Sequence, residues 1–177
     1  MNQETNPQGE WVRAALSRYE APLIRYATRV TQDVEVARDV VQDTFLRLCQ
    51  ADRRKVDGHL APWLYRVCRN RALDVMKKER RMEPMDTTVA ELTPSPNPTP
   101  RHAAEHQEME AQVLGVIERL PAKQQEVFRL KFQEQLSYKE ISEVTGYPVN
   151  NVRYLLHRSM NTLRERLRGR LDPAPEL

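Results

Sequence analysis

At 177 residues the chain can hold one large domain or two small ones. With 5 glycines, 6% aromatic and 30% charged residues, the composition is that of a helical protein and excludes glycine- and aromatic-rich β architectures. Only 2 cysteines and no bilayer-length apolar run exclude a disulfide scaffold and membrane insertion, and a net charge of +3 makes the distribution of charge more telling than its total.

The opening MNQETNPQGE is polar, so residues 1–10 read as a disordered tail without a leader segment. Helical periodicity runs from Trp11 to Arg81. A first helix is expected from about Pro22 to Val30, with Leu23, Ile24, Tyr26 and Ala27 apolar. Asp33 can cap the next helix, VEVARDVVQDTFLRLCQ. Ala37, Val41, Thr44, Phe45 and Leu48 form its predicted core stripe. The opposite face carries Asp39, Gln42, Asp43 and Gln50, with Leu46 among them. That face is either a docking surface or an ordinary solvated face with one exposed leucine. Cys49 and Cys68 lie among apolar neighbours and are expected to be buried free thiols.

After Gly58, Pro62 marks the first turn of a third helix, PWLYRVCRNRALDVMKKERR. Leu64, Val67, Cys68, Ala72 and Val75 are its core candidates, whereas Trp63 projects with Arg66, Asn70 and Lys77. An aromatic ring among cations and amides suits single-stranded nucleic acid: bases stack on the ring while basic groups hold phosphates. The competing reading packs Trp63 under the preceding loop. Arg69, Arg71, Lys78, Arg80 and Arg81 continue the basic character to the domain edge.

Pro84, Pro94, Pro96, Pro98 and Pro100 then fall among Thr, Ser and Asn, a run that supports neither helix nor central strand. The stretch from Glu83 to Glu118 is acidic, with Arg101 its one strong base, and separates two basic modules. Within it, HAAEH from His102 to His106 formally matches an HxxEH zinc motif with Glu105 as base. No pocket-forming sequence surrounds it, so a solvated helix start is the preferred reading and no cofactor or metal is expected.

Helical pattern resumes near Ala104. Ser137 and Glu140 make a capping box, Gly146 supplies a left-handed stop, and Pro148 sits where a new helix can begin. That is a helix-turn-helix, whose second helix enters the DNA major groove. At about 3.6 residues per turn, Val149, Val152, Leu156, Ser159, Leu163 and Leu167 share the packing stripe. The other face carries Asn150, Arg153, Tyr154, His157, Asn161 and Arg164, with Arg158 at its edge. Amides and cations nearly free of acids suit base edges and phosphates.

The expected fold is all-α: two small helical domains joined by a flexible Pro-rich linker, the second containing the helix-turn-helix. The expected boundaries are a tail at 1–10, a first domain at 11–82, a linker at 83–105, a second domain at 106–170 and a tail at 171–177.

Three segments together carry a family resemblance: ARDVVQDTFLRL, APWLYRVCRNRALDVMKKERR, and LPAKQQEVFRLKFQEQLSYKEISEVTGYPVNNVRYLLHRSMNTLRERL. In order and spacing the chain resembles the bacterial extracytoplasmic-function (group IV) sigma factors. The resemblance implies a cytoplasmic, non-enzymatic protein that binds core RNA polymerase and directs it to promoters. It implies that Asp39, Gln42, Asp43 and Leu46 face the clamp helices of the polymerase. It implies that Trp63, Tyr65, Arg66, Arg69, Asn70 and Lys77 melt the minus-ten element and hold its unpaired bases. It further implies that Asn150, Asn151, Arg153, Tyr154, His157 and Arg158 read the duplex minus-thirty-five element, with their domain docked on the polymerase flap. An anti-sigma factor is an expected partner.

The chain departs from the family pattern at NNVRYL, where GTVRSR is frequent, so Tyr154 replaces a small residue and Leu155 a basic one. Leu60 stands where an aromatic is frequent, and the preceding ADRRKVDGH is the chain's own. Two alternatives remain open from residues alone: a helix-turn-helix regulator acting without polymerase, and a sigma-like adaptor that does not melt DNA.

Overall fold

The structure, a computed structural model, describes residues 7–82 and 104–171. All regular elements among the described residues are helical. The chain divides into two compact units.

The first unit holds α1 (Pro7–Thr31), α2 (Val34–Gln50), the short α3 (Arg53–Val56), a 3-10 turn (Asp57–His59) and α4 (Leu60–Met82). Helix α1 starts fifteen residues before the expected Pro22 and includes residues 7–10 of the expected tail. Pro22 lacks the N–H that would bond the preceding turn. Burial of Trp11 and Ala15 before it, and of Leu23, Tyr26 and Ala27 after it, holds the helix through that defect. The helix ends at Gln32, whose φ of 60° is left-handed. Thr31 Oγ1 donates to the Asp33 carbonyl at 2.9 Å, folding the link back on itself. Asp33 then caps α2 as expected, its carboxylate accepting from the N–H groups of Glu35 and Val36.

The predicted stripe of α2 is buried and gains Val40. It packs with α1 and α4 around Leu23, Leu48, Leu64, Cys68 and Ala72, each fully buried. Burial pushes the Cys68 thiol up to about 12 against a hydrogen bond with Thr44, so the sulfur stays protonated and inert at neutral pH. Cys49, expected to be buried, is exposed. It follows Leu48 on α2 and so turns out of the stripe that buries its neighbour.

The second unit holds α5 (Ala104–Glu118), α6 (Ala122–Phe132), α7 (Tyr138–Thr145) as far as Ser142, and α8 (Val149–Leu171). Ile117, Leu120, Phe128, Leu163 and Leu167 form one core cluster, with Val113, Val116 and Met160 packed against it. Gln125 Nε2 donates to the carbonyls of Glu118 (2.7 Å) and Leu120 (2.8 Å), satisfying the end of α5. The proline-rich stretch and His102 lie outside the described residues.

The capping box of α7 is present in both directions: Glu140 N–H donates to Ser137 Oγ at 3.3 Å, and Ser137 N–H donates to Glu140 Oε2 at 2.7 Å. These bonds, aided by Lys131, hold the Glu140 carboxyl below its usual range. A depressed carboxylate contributes stability above its unfolded pKa and loses it as pH falls through the folded one. The destabilisation caused by Glu140→Ala should therefore be full at neutral pH and shrink as pH drops below the ordinary glutamate range. Thermal unfolding of both proteins across that range checks this, and a penalty that grows on acidification would contradict it.

Candidate nucleic-acid and polymerase interfaces

The helix-turn-helix is built as its residues require. Gly146 ends α7 at φ 75°, a left-handed position, and its N–H donates to the Ser142 carbonyl. Ser142 Oγ also donates to the Tyr147 carbonyl at 2.6 Å. The Pro148 carbonyl accepts from Asn151 N–H at 2.8 Å and Val152 N–H at 3.1 Å, so Pro148 is the entry to α8. Val152, Leu156, Ser159, Leu163 and Leu167 are buried, and Leu155 joins them at 9% exposure. The residue standing where the family often has a base is thus a packing residue here.

Asn150, Asn151, Arg153, Tyr154, His157 and Arg158 are all exposed, Tyr154 at 59%. One turn further on, Asn161 is half-buried and lies 3.4 Å from the His157 ring. An aromatic bridge that the sequence reading missed extends this face onto α7. The Tyr138 ring lies between two cations, Lys131 Nζ at 5.2 Å and the Arg153 guanidinium at 5.8 Å from its centroid. Tyr138 directly follows the Ser137 cap. An aromatic at that place, on the helix preceding a basic one, was the available signal.

In the first unit, α4 presents Arg66, Asn70 and Lys77 as exposed groups, with Trp63 and Arg69 half-buried. Positions 63, 66, 70 and 77 recur at helical spacing and share one face. Tyr65 does not belong with them. It is fully buried, its ring edge-on to Tyr26 with centroids 5.3 Å apart and planes at 86°. Two residues beyond Trp63 the helix has turned about 200°, which places Tyr65 on the core side with Leu64 and Cys68. The expected DNA contact at this position is corrected to a packing role.

On α2, Asp39 and Gln42 are exposed and Leu46 is 55% exposed. Asp43, assigned with them to docking, accepts from Arg71 Nε of α4 at 2.6 Å and is half-buried. It ties the two helices together within the unit, and Asp39, Gln42 and Leu46 carry the outward face.

The segment before α4 was expected to be a loop but holds α3, capped by Asp52, whose carboxylate accepts from Arg54 N–H. Arg54, Lys55 and His59 are exposed, while Val56 is buried. Trp11 Nε1 of α1 donates to Asp57 Oδ1 at 2.9 Å. No described helix is long and apolar enough to cross a membrane.

Cationic faces are exposed in both units, one of them on a helix-turn-helix, an arrangement of charge and fold that suits nucleic acid. Residues 15–82 match Sigma-70 region 2, and residues 110–163 match Sigma-70, region 4. The chain is 26% identical over 147 residues to the ECF RNA polymerase sigma factor SigM of Bacillus subtilis, covering 82% of this chain and 88% of that protein. It is 27% identical over 159 residues to SigW of the same organism, covering 85% of each. Its fold is similar to that of the sigma factor RpoE crystallised with the anti-sigma factor NepR from Bartonella quintana. That likeness has a TM-score of 0.64 at 19% identity and covers 88% of this chain and 96% of that one. The chain belongs to the extracytoplasmic-function family of RNA polymerase sigma factors, which act in transcription initiation.

Proposed function

We propose a division of labour among the three exposed faces. The α2 face of Asp39, Gln42 and Leu46 docks on the clamp helices of core RNA polymerase. The α4 face of Trp63, Arg66, Arg69, Asn70 and Lys77 holds the melted minus-ten strand. The α8 face of Asn150, Asn151, Arg153, Tyr154, His157 and Arg158 reads the minus-thirty-five duplex, and its unit seats on the flap. The observation that carries this reading is the pairing, in one chain, of an exposed basic helix-turn-helix face with a separate α4 face where Trp63 lies among cations and an amide. A regulator of duplex DNA alone has no use for the second face.

Arg153 is the most exposed test of the upstream assignment. Its guanidinium rests near the Tyr138 ring, which limits its rotamers before DNA arrives. Arg153→Ala should weaken binding to the upstream duplex by about 1–3 kcal/mol if it reads a base edge. Relaxed sequence preference accompanies the loss in that case, whereas a phosphate contact weakens all sequences alike. Titration of labelled duplexes with the holoenzyme separates the two, and affinity equal to wild type would remove Arg153 from the interface.

An anti-sigma factor is proposed as the regulatory partner. The Bartonella quintana sigma factor of similar fold was captured with such a protein. A cytoplasmic location follows from a polymerase partner.

A further inference from the structure

The segment from Ala51 to His59 has little to hold it in place on its own. Its helix α3 is four residues long, far below the length at which a helix is stable in isolation. Its internal supports are the Asp52 cap and the buried Val56. Two further side-chain hydrogen bonds come from the first two turns of α1, more than forty residues earlier. Gln8 Nε2 donates to the Ala51 carbonyl at 3.3 Å, at the near end of the segment. Trp11 Nε1 donates to Asp57 Oδ1 at 2.9 Å, at its far end.

Trp11, Arg53 and Asp57 close a triangle. The Arg53 guanidinium lies 5.8 Å from the centroid of the Trp11 ring. Arg53 Nε is 3.5 Å from Asp57 Oδ2, while the indole N–H holds Oδ1. The ion pair alone is a weak restraint, because both of its side chains are about half exposed. The indole is different: Trp11 is only 8% exposed, and its N–H is a donor to a charged acceptor. A buried, rigid ring with a directed donor sets where the Asp57 carboxylate sits, and Arg53 follows.

Gln8 and Trp11 lie upstream of residues 15–82, the stretch matched to Sigma-70 region 2. The segment they hold is also where this chain departs from the family pattern. Arg54, Lys55 and His59 remain exposed on it, immediately ahead of the Trp63 face.

We infer that the first two turns of α1 are a brace that sets the Ala51–His59 segment in its working position against the unpaired DNA strand, with Trp11 and Gln8 as positioning residues. This rests on the reading that α4 and the segment before it hold the melted strand. The brace acts by preorganisation. A segment fixed before DNA arrives spends less ordering entropy on capture, and its cationic side chains meet the strand in one register rather than several. The brace therefore bears on opening and on the choice of base, and not on polymerase docking or on the upstream duplex.

The test compares wild type, Trp11→Phe and Gln8→Ala as holoenzymes on a promoter that the wild type uses. Trp11→Phe keeps a buried ring near Arg53 and loses the N–H. Gln8→Ala removes the second contact without touching the core. Permanganate reactivity of unpaired thymines reports opening, and a series of promoters substituted through the downstream element reports base preference. Thermal unfolding, polymerase affinity and upstream duplex affinity are measured alongside.

Trp11→Phe should lower the rate of opening by roughly threefold to tenfold, less than the full worth of one hydrogen bond to a charged group because the Asp57 carboxylate is about half exposed. It should also flatten the preference among bases, with polymerase affinity and upstream duplex affinity unchanged and thermal stability lowered too little to unfold the protein at the assay temperature. Gln8→Ala should move opening in the same direction by less. Wild-type opening and preference in both variants would overturn the inference. So would a loss of opening that merely tracks lower thermal stability or polymerase affinity. If the wild-type holoenzyme opens no promoter, the reading of α4 fails and the brace with it, an outcome distinct from variants that match an active wild type.

Discussion

Trp63→Ala should impair promoter opening while leaving polymerase binding and upstream duplex binding near wild type. Trp63 is half-buried, on the α4 face that also presents Arg66, Asn70 and Lys77. A base removed from the duplex loses its stacking partners, and an aromatic ring restores one at about 1–3 kcal/mol per base. At 1.4 kcal/mol per factor of ten, that is a loss of about fivefold to a hundredfold in the open complex. Trp63→Phe keeps a stacking surface and should recover most of it. Permanganate footprinting of open complexes, with the holoenzyme in excess, is the measurement. Equal opening by wild type and Trp63→Ala would leave the chain as an adaptor that binds polymerase without holding the melted strand.

The second large effect is expected at Tyr65, and it falls on stability rather than on DNA. Its side chain is fully buried between α1 and α4 and meets Tyr26 edge to face. Removing a buried aromatic side chain costs about 3–5 kcal/mol, the transfer loss plus the cavity left behind. That is a large share of the stability of a small domain. Tyr65→Ala should shift urea unfolding of the full chain strongly to lower denaturant, whereas Tyr65→Phe keeps the ring contact and should open promoters as wild type does. A Tyr65→Ala protein as stable as wild type but defective in opening would restore the DNA-contact assignment.

These two positions also show what a single sequence conveys. Helix α2 and the helix-turn-helix were legible because their signals are local. Asp33, Ser137, Glu140 and Gly146 act on backbone groups within a few residues, and the cap bonds formed where the spacing put them. The polar face of α8 was legible for a related reason, since its buried stripe runs along one side and leaves Asn150, Arg153, Tyr154 and His157 exposed. Helix α4 is harder to read. It buries Leu64 and Tyr65 in succession, so its core side is wider than the stripe drawn through Leu64, Val67 and Cys68.

What escaped depends on partners distant in sequence. Pro22 is a local signal for a helix start, and it misled because Trp11 and Ala15 find burial elsewhere in the unit and carry α1 through it. Asp43 lies on the acidic face, and sequence alone does not show that it also pairs with Arg71, 28 residues later and 2.6 Å away. The short α3 depends on its own cap but also on contacts from Gln8 and Trp11. The Tyr138 bridge needs Lys131 and Arg153 from two other helices.

The most direct test of the central claim is run-off transcription with purified protein, bacterial core polymerase and fragmented genomic DNA of the source organism, followed by sequencing of RNA 5′ ends. The account predicts discrete starts that share two upstream motifs and vanish when the protein is left out. Stable polymerase binding without new starts would contradict the assignment of promoter opening to α4. Neither binding nor starts would contradict the polymerase-docking face of α2 and with it the whole scheme.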